Sequence, residues 1–344
     1  MKDDLQGATV LFAPYQSQLR ERLQRFLDEL HPALRVDVAR VLEEEGKLLA
    51  PPAPVATSRT LAAGVWPLLT FLVAQHVAPD IDPLLAGNVA IAVECLVCAF
   101  DLQDDIEDED LTPVVEALGP ARLVNISTTL LALAQQAILS LSQYGLAHSL
   151  VLRLLDVLQE TTLAVTLGQQ RDILAEQKSA QDFTLEESLE IAEQKAGSLF
   201  RAACMLGALC AGADDDLCAQ FAELGRLLGI AHQLDNDCHD LYYFMEGESS
   251  FSPIEAEASA RSVKTDLVRG KKTLPVILAA KSPEALQHTS FSPGDATHLP
   301  GLHEGIIAAW GICLLYRERA HDQLRKIEAR LPISPALRSL LGFS

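Results

Sequence analysis

Apolar residues recur at three- and four-residue spacing along almost the whole of this 344-residue chain, and no run of strand character interrupts them. That pattern constrains the fold more than any other feature. A helix with one apolar stripe must bury it, and with no sheet available the partner has to be another helix. The spacing predicts helices over 16–30, 58–77, 83–105, 120–145, 147–178, 184–212 and 215–245. Further helices are expected at 273–280, 304–330 and 335–342, with polar loops over 246–262 and 287–300. Hydrophobic residues make up 49% of the chain, led by Leu and Ala, which supplies a large core from good helix formers. The expected fold class is all-α, one large helical bundle. Pro51-Pro52-Ala53-Pro54 breaks the pattern, so residues 1–50 are read as an N-terminal helical extension packed on a core of residues 55–344.

The net charge of −20 argues against nucleic acid or an anionic membrane as the main partner. It leaves an anionic substrate open, because divalent cations can invert the local field. The polar start Met1-Lys-Asp-Asp-Leu-Gln6 is not of signal type. The apolar runs 61–77 and 86–100 are interrupted by Gly, Pro, Gln or Glu and read as too short for membrane spans. Seven cysteines, an odd number in apolar helical contexts, point to a reduced cytoplasmic compartment. Cys95 and Cys98 read as core packing rather than a metal or redox pair.

Seven of the ten residues from Asp101 to Asp110 are acidic, directly after the apolar run Val89 to Phe100. Like charges one helical turn apart repel. The cluster is therefore either a solvated helix end or a site that a cation neutralises. Within it, Asp104, Asp105 and Asp108 spell Asp-Asp-x-x-Asp, with positions 104 and 108 about 6 Å apart on one helix face. Their oxygens suit Mg²⁺, which takes few protein carboxylates and completes its shell with water and substrate phosphates. A second set, Asp235-Asn-Asp237-Cys-His-Asp240, lies in another apolar helical pattern. Two carboxylate sets on separate helices point to a multi-metal site for a polyphosphate.

The second set, with Gly225, Gly229, Gln233, Asp237 and Asp240, resembles the second aspartate-rich region of the trans-isoprenyl diphosphate synthases (polyprenyl synthetases). Asn236 stands where that family has an Asp. Four more segments match in order. Glu94 to Asp105 resembles the helix leading into the family's first motif. Gly168-Gln169-Gln-Arg-Asp172-Ile173 resembles its Gly-Gln-x-x-Asp-Leu element. Lys195-Ala-Gly-Ser-Leu-Phe200 resembles its Lys-Thr-Ala-x-Leu-Phe helix, and Asp266-Leu-Val-Arg-Gly270-Lys271-Lys-Thr273-Leu-Pro275 its Asp-Leu-x-x-Gly-Lys-x-Thr-Leu-Pro segment.

The resemblance implies an isoprenoid-synthase bundle around a central cavity, a homodimer, and Mg²⁺-dependent ionisation of an allylic prenyl diphosphate. It implies Asp104, Asp108 and Asp237 as metal ligands, with Asp105 and Asp240 as ligands or their supports. Lys195 and Lys271 would contact the diphosphate, with Arg261 near another family lysine. Gln169, Asp172 and Gln233 would support the metals and the cation. Ala99 and Phe100 would line the prenyl tunnel, or simply pack in the core. His232 and His239 would point away from the metals, and Lys272 would be solvated.

The chain departs from the family at the acceptor. Chain-elongating members carry two arginines after the first motif, where this chain reads Glu109-Asp110-Leu-Thr-Pro113. Their early Gly-Gly-Lys-Arg-x-Arg-Pro segment is read here as Ala62 to Phe71, without its bases, leaving Arg59 or Arg122 as substitutes. Binding a diphosphate without Lys or Arg is costly. The expected activity is therefore a prenyltransferase whose acceptor is isopentenyl diphosphate or a non-diphosphate nucleophile. A terpene cyclase and a non-catalytic subunit of a heteromeric synthase are the alternatives. Asp240 and Phe244 stand where cyclases carry Ser/Thr and Glu, and the retained acid motifs are commonly lost in such subunits.

Overall fold

Every regular element in the computed structural model is helical, among the residues it describes: 2–44, 46–50, 64–110, 112–179, 182–246, 271–281 and 301–343. The chain divides into two compact units, each assembled from several stretches. The first comprises 1–162, 200–225 and 323–344; the second comprises 163–199 and 226–322.

In the first unit, α4 (Pro83–Glu107) is the central element. Asp82 caps its start by accepting the Leu84 N–H at 2.9 Å, and Pro83 supplies a preset first turn. All sixteen residues that α4 buries, Asn88 and Glu94 apart, are apolar or glycine, which requires helices on several sides. α3 (Val65–Val77), α6 (Pro120–Leu139) and α1 (Lys2–Asp28) pack against it, and α2 (Pro32–Leu42) packs on α6. α1 starts earlier than the spacing predicts and runs through Pro14. A six-residue helix, α5 (Pro113–Leu118), follows the acid cluster, where Thr112 caps it.

α4, which contains the run 86–100, has the length and apolarity to cross a membrane, as does Pro120–Tyr144, whereas the run 61–77 yields only the shorter helix Val65–Val77. Folding joins residues 83–107 into one helix. Burial of 83% of its apolar window inside the protein marks it as a core helix. Cys95 and Cys98 are among seven buried free thiols, and burial pushes both well above the ordinary thiol range.

α7 (His148–Glu176), α9 (Ser198–Cys210), α10 (Asp215–Glu246) and a later helix, α12 (Leu302–Glu328), each contribute residues to both units. Within the second unit, Ile230, Leu234, Cys238 and Leu241 of α10 form a core with Leu274 and Val276 of α11 (Leu274–Ala280) and with Ile306, Ala309 and Cys313 of α12. α8 (Leu185–Ala192) packs on α11 and starts in a capping box, Thr184 and Glu187 bonding each other's backbone N–H. Those bonds and Lys178 draw the Glu187 carboxyl down to about 2. A last helix, α13 (Pro335–Leu340), packs on α3.

Candidate active site

The acid end of α4 is closed by backbone bonding. Asp108 N–H donates to Asp104 O at 2.8 Å, Glu109 N–H to Ile106 O at 3.3 Å and Asp110 N–H to Asp105 O at 2.9 Å. This double closure needs a left-handed residue, and Glu109 supplies it at φ 55°, where glycine is the usual choice. The turn holds Asp104, Asp105 and Asp108 together, with Asp108 buried and the other two half-buried. The carbonyl end of a helix carries partial negative charge, so carboxylates are unfavourable there. The last turn of α4 contains no basic residue to offset them.

Two more acids on this side of α4 are engaged from below. Lys47 forms an ion pair with Asp101. Glu94 is 1% exposed, and its Oε1 accepts the Leu48 N–H at 2.6 Å. Burial pushes the Glu94 carboxyl up to about 7 despite Lys47 nearby. Lys47, from the segment before Pro51, thus adds a base on this side of α4 that the sequence reading did not count. Arg122 is not available there; its guanidinium forks onto Asp37 at 2.5–3.0 Å. Trp66 to Phe71, assigned above to the lost basic segment, lies in α3, with the Trp66 ring 4.1 Å from that of Phe200. Ala99 and Phe100 are buried, and the Ala99 carbonyl accepts the Ser127 hydroxyl at 3.1 Å.

The second unit carries the other predicted residues. Lys195 sits in a five-residue π-helical turn, Glu193–Gly197, between α8 and α9. Such turns are rare and widen the backbone locally. Two glycines let neighbouring helices press on it. A Cβ at Gly168 of α7 would lie 2.8 Å from Gln194 Cβ and 3.0 Å from Lys195 N. One at Gly229 of α10 would lie 2.4 Å from the Ala196 carbonyl oxygen. Arg171 donates to Gln194 at 3.2 Å and Arg226 to Glu193 at 2.9 Å, fixing the turn from both sides. Lys195 Nζ meets Asp172 at 3.0 Å, both side chains mostly buried.

On α10, Gln233 Nε2 donates to Asp237 Oδ1 at 2.9 Å, and Asp237 is buried. Asp240 follows on the same face, half-buried. Asn236 is exposed and bonds His232. His239 lies across the helix, beside Asp235 at 3.8 Å and edge-on to Trp310. Lys271 is 6% exposed. Lys272 is half-buried rather than solvated; its Nζ lies 3.5 Å from the Glu176 carbonyl and burial lowers its pKa. Arg261, Arg59 and Asp266 to Gly270 lie outside the described residues.

Within neither unit do three His, Cys, Asp or Glu side chains, among the described residues, converge closely enough to hold an ion unaided. The donor chemistry still suits a hard cation shared with a ligand's oxygens. Gln169 is 9% exposed, and neither its Oε1 nor its Nε2 has a partner among the described residues. A buried amide left so is costly and points to a polar ligand. The hydroxyl of Thr273, inside the Lys271 segment, is in the same condition. Sequence reasoning passed over Thr273 and Lys47; the first lay within a quoted motif, the second in a segment set aside as an extension.

A family model described as polyprenyl synthetase matches residues 63–292, more than half of the chain. This chain belongs to the polyprenyl synthetase family. Geranylgeranyl diphosphate synthase of Methanosarcina mazei is 32% identical over 237 residues, 67% of each chain. Tryptophan prenyltransferase ComQ of Bacillus spizizenii is 31% identical over 165 residues, 46% of this chain and 54% of that one. The chain spans about two thirds of the length of the curated synthases it matches. In structure, a geranylgeranyl pyrophosphate synthase aligns with a TM-score of 0.74 at 20% identity, covering 96% of both chains. A polyprenyl synthase from Caulobacter crescentus CB15, complexed with calcium and isoprenyl diphosphate, aligns at 0.66 and 20% identity, covering 95% of this chain and 96% of that one. The fold is that of the isoprenyl diphosphate synthases.

Proposed function

We propose that this family member transfers a prenyl group from an allylic prenyl diphosphate to isopentenyl diphosphate or to a non-diphosphate nucleophile. The observation that carries the reading is the acid end of α4, where carboxylates gather at the negative pole of a helix with no base in the last turn. That arrangement becomes favourable when cations bind it. Asp104, Asp105, Asp108, Asp237 and Asp240 would hold Mg²⁺. When bound, the metal supplies charge to stabilise the departing diphosphate. The Caulobacter crescentus structure of the same fold, solved with calcium and isoprenyl diphosphate, supports the use of a divalent cation.

Lys195 would exchange Asp172 for a phosphate oxygen, and buried Lys271 would donate to another. Gln169 and Gln233 would orient the oxygens around them. As the allylic C–O bond breaks, its electron pair leaves with the diphosphate, and these fixed donors stabilise the charge that develops there. The acceptor's electron pair then forms the new bond to the allylic carbon, and the acceptor loses a proton. The tryptophan prenyltransferase among the relatives supports a nucleophile other than isopentenyl diphosphate.

The same reading includes a homodimer and a cytoplasmic location. It also takes residues 1–50 as a helical extension on a catalytic domain of residues 55–344. The packing of α1 on α3 and α4, and of α2 on α6, supports the last point.

The test is diphosphate release from geranyl, farnesyl and geranylgeranyl diphosphate with Mg²⁺, with and without isopentenyl diphosphate. Asp104→Ala, Asp108→Ala and Asp237→Ala should each lower release by at least about 100-fold. Wild-type rates in all three variants would overturn the site assignment. A hydrocarbon or alcohol formed from one diphosphate alone would point to a cyclase.

A further inference from the structure

Lys47 is a base that the structure sets against the acid face of α4, and it is already engaged. Its ammonium pairs with Asp101. The carboxylates of Glu94 and Glu44 also act on it or lie beside it, with Arg40 near Glu44. The backbone that carries Lys47 is fixed at four points. Leu48 N–H donates to Glu94 at 2.6 Å, and Arg20 donates to the Leu48 and Ala50 carbonyls at 2.7 and 3.0 Å. Gly46 O accepts the Gly64 N–H at 2.9 Å. These bonds fix where the Lys47 side chain starts, and the ion pair with Asp101 holds its ammonium. Of the neighbouring guanidiniums, Arg20 is committed to these carbonyls and Arg122 to Asp37, while Arg40 lies near Glu44.

Position 101 shares a helix face with 94, 105 and 108, one and two turns apart. An anionic group arriving at this face would have to take Lys47 from Asp101. It would then stand beside a half-exposed Asp101 carboxylate stripped of its counter-ion. Like charges placed together this way are a strong means of rejecting a partner. An uncharged group meets neither cost.

We propose that Asp101 is a specificity-determining residue: by holding Lys47 it rejects an anionic acceptor, so the prenyl group goes to an uncharged, electron-rich nucleophile. This rests on the prenyl-transfer reading above and names the acceptor class it left open.

The experiment compares two acceptors with the same alkene, isopentenyl diphosphate and the uncharged alcohol 3-methyl-3-buten-1-ol, using geranyl diphosphate and Mg²⁺ on the full chain. Diphosphate release without acceptor is recorded for every variant. Asp101→Asn should raise kcat/KM for isopentenyl diphosphate by about tenfold or more and leave the alcohol unchanged. Adding Lys47→Gln should remove that gain. Calorimetry of isopentenyl diphosphate binding should follow the same order, which separates a charge effect from a loss of folding. If Asp101→Asn releases diphosphate normally but keeps the wild-type acceptor preference, the proposal fails alone. Efficient use of isopentenyl diphosphate by the wild type, unchanged by Asp101→Asn, has the same consequence. No diphosphate release by the wild type sinks the prenyl-transfer reading, and the proposal with it.

Discussion

The acid end of α4 and the Lys195 turn solve opposite electrostatic problems. At α4 the acids outnumber the bases, lie on one continuous stretch of chain, and sit at the wrong pole of their helix. Around Lys195 the charges come from α7, α8, the π-helical turn and α10 and are matched in pairs: Lys195 with Asp172, Arg226 with Glu193, Arg171 with Glu190. The first region gathers like charges that a bound cation would offset. The second is balanced as it stands and must open a pair to bind an anion. The first arrangement suits a cation, and the second keeps its lysine paired with a carboxylate.

Several substitutions would break or sharpen this contrast. The largest effect is expected at Gly229, where α10 touches the Lys195 turn backbone to backbone. Gly229→Ala puts a methyl 2.4 Å from the Ala196 carbonyl oxygen and should cost on the order of 3 kcal/mol in urea unfolding. Full stability in that variant would mean the close packing is dispensable. Next, neutralising one acid in each region should move stability in opposite directions. Asp172→Asn leaves Lys195 mostly buried without its ion partner and should cost about 2 kcal/mol. Asp104→Asn relieves repulsion at the end of α4 and should add about 0.5 kcal/mol in the absence of metal. Shifts of the same sign would erase the distinction.

The last prediction concerns Glu94. Burial raises its folded pKa to about 7 from an unfolded value of 4.5, so the folded state takes up the proton more readily. Its contribution is fully present below 4.5 and is lost as pH rises through about 7. Glu94→Gln keeps an acceptor for the Leu48 N–H and cannot ionise. The wild type should therefore lose melting temperature relative to Glu94→Gln between pH 5 and 8, and parallel curves would refute the assignment.

Most of the fold was legible because it is local. The apolar spacing located α4, α6, α7, α10 and α12 closely, since a helix bonds within four residues and its stripe is written at that period. The spacing missed the start of α1 and the separate α5. It also read 184–212 as one helix, where α8, the π turn and α9 follow one another. The acid sets were legible for the same reason, since their spacing is also a helical one. Gly168 and Gly229 stood in the motifs, but their purpose is a close approach of another helix, which no local pattern records.

The chain by itself determined its class, its helices and the carboxylates and lysines suited to a metal–diphosphate ligand. Only the tertiary structure brought Lys47 to Asp101, tied Arg122 to Asp37, left the Gln169 amide without a partner among the described residues and pushed Glu94 toward neutrality. These depend on residues 54 and 85 positions apart, or on burial from several sides. Helical periodicity reaches one turn along the chain; charge pairing and desolvation act through space.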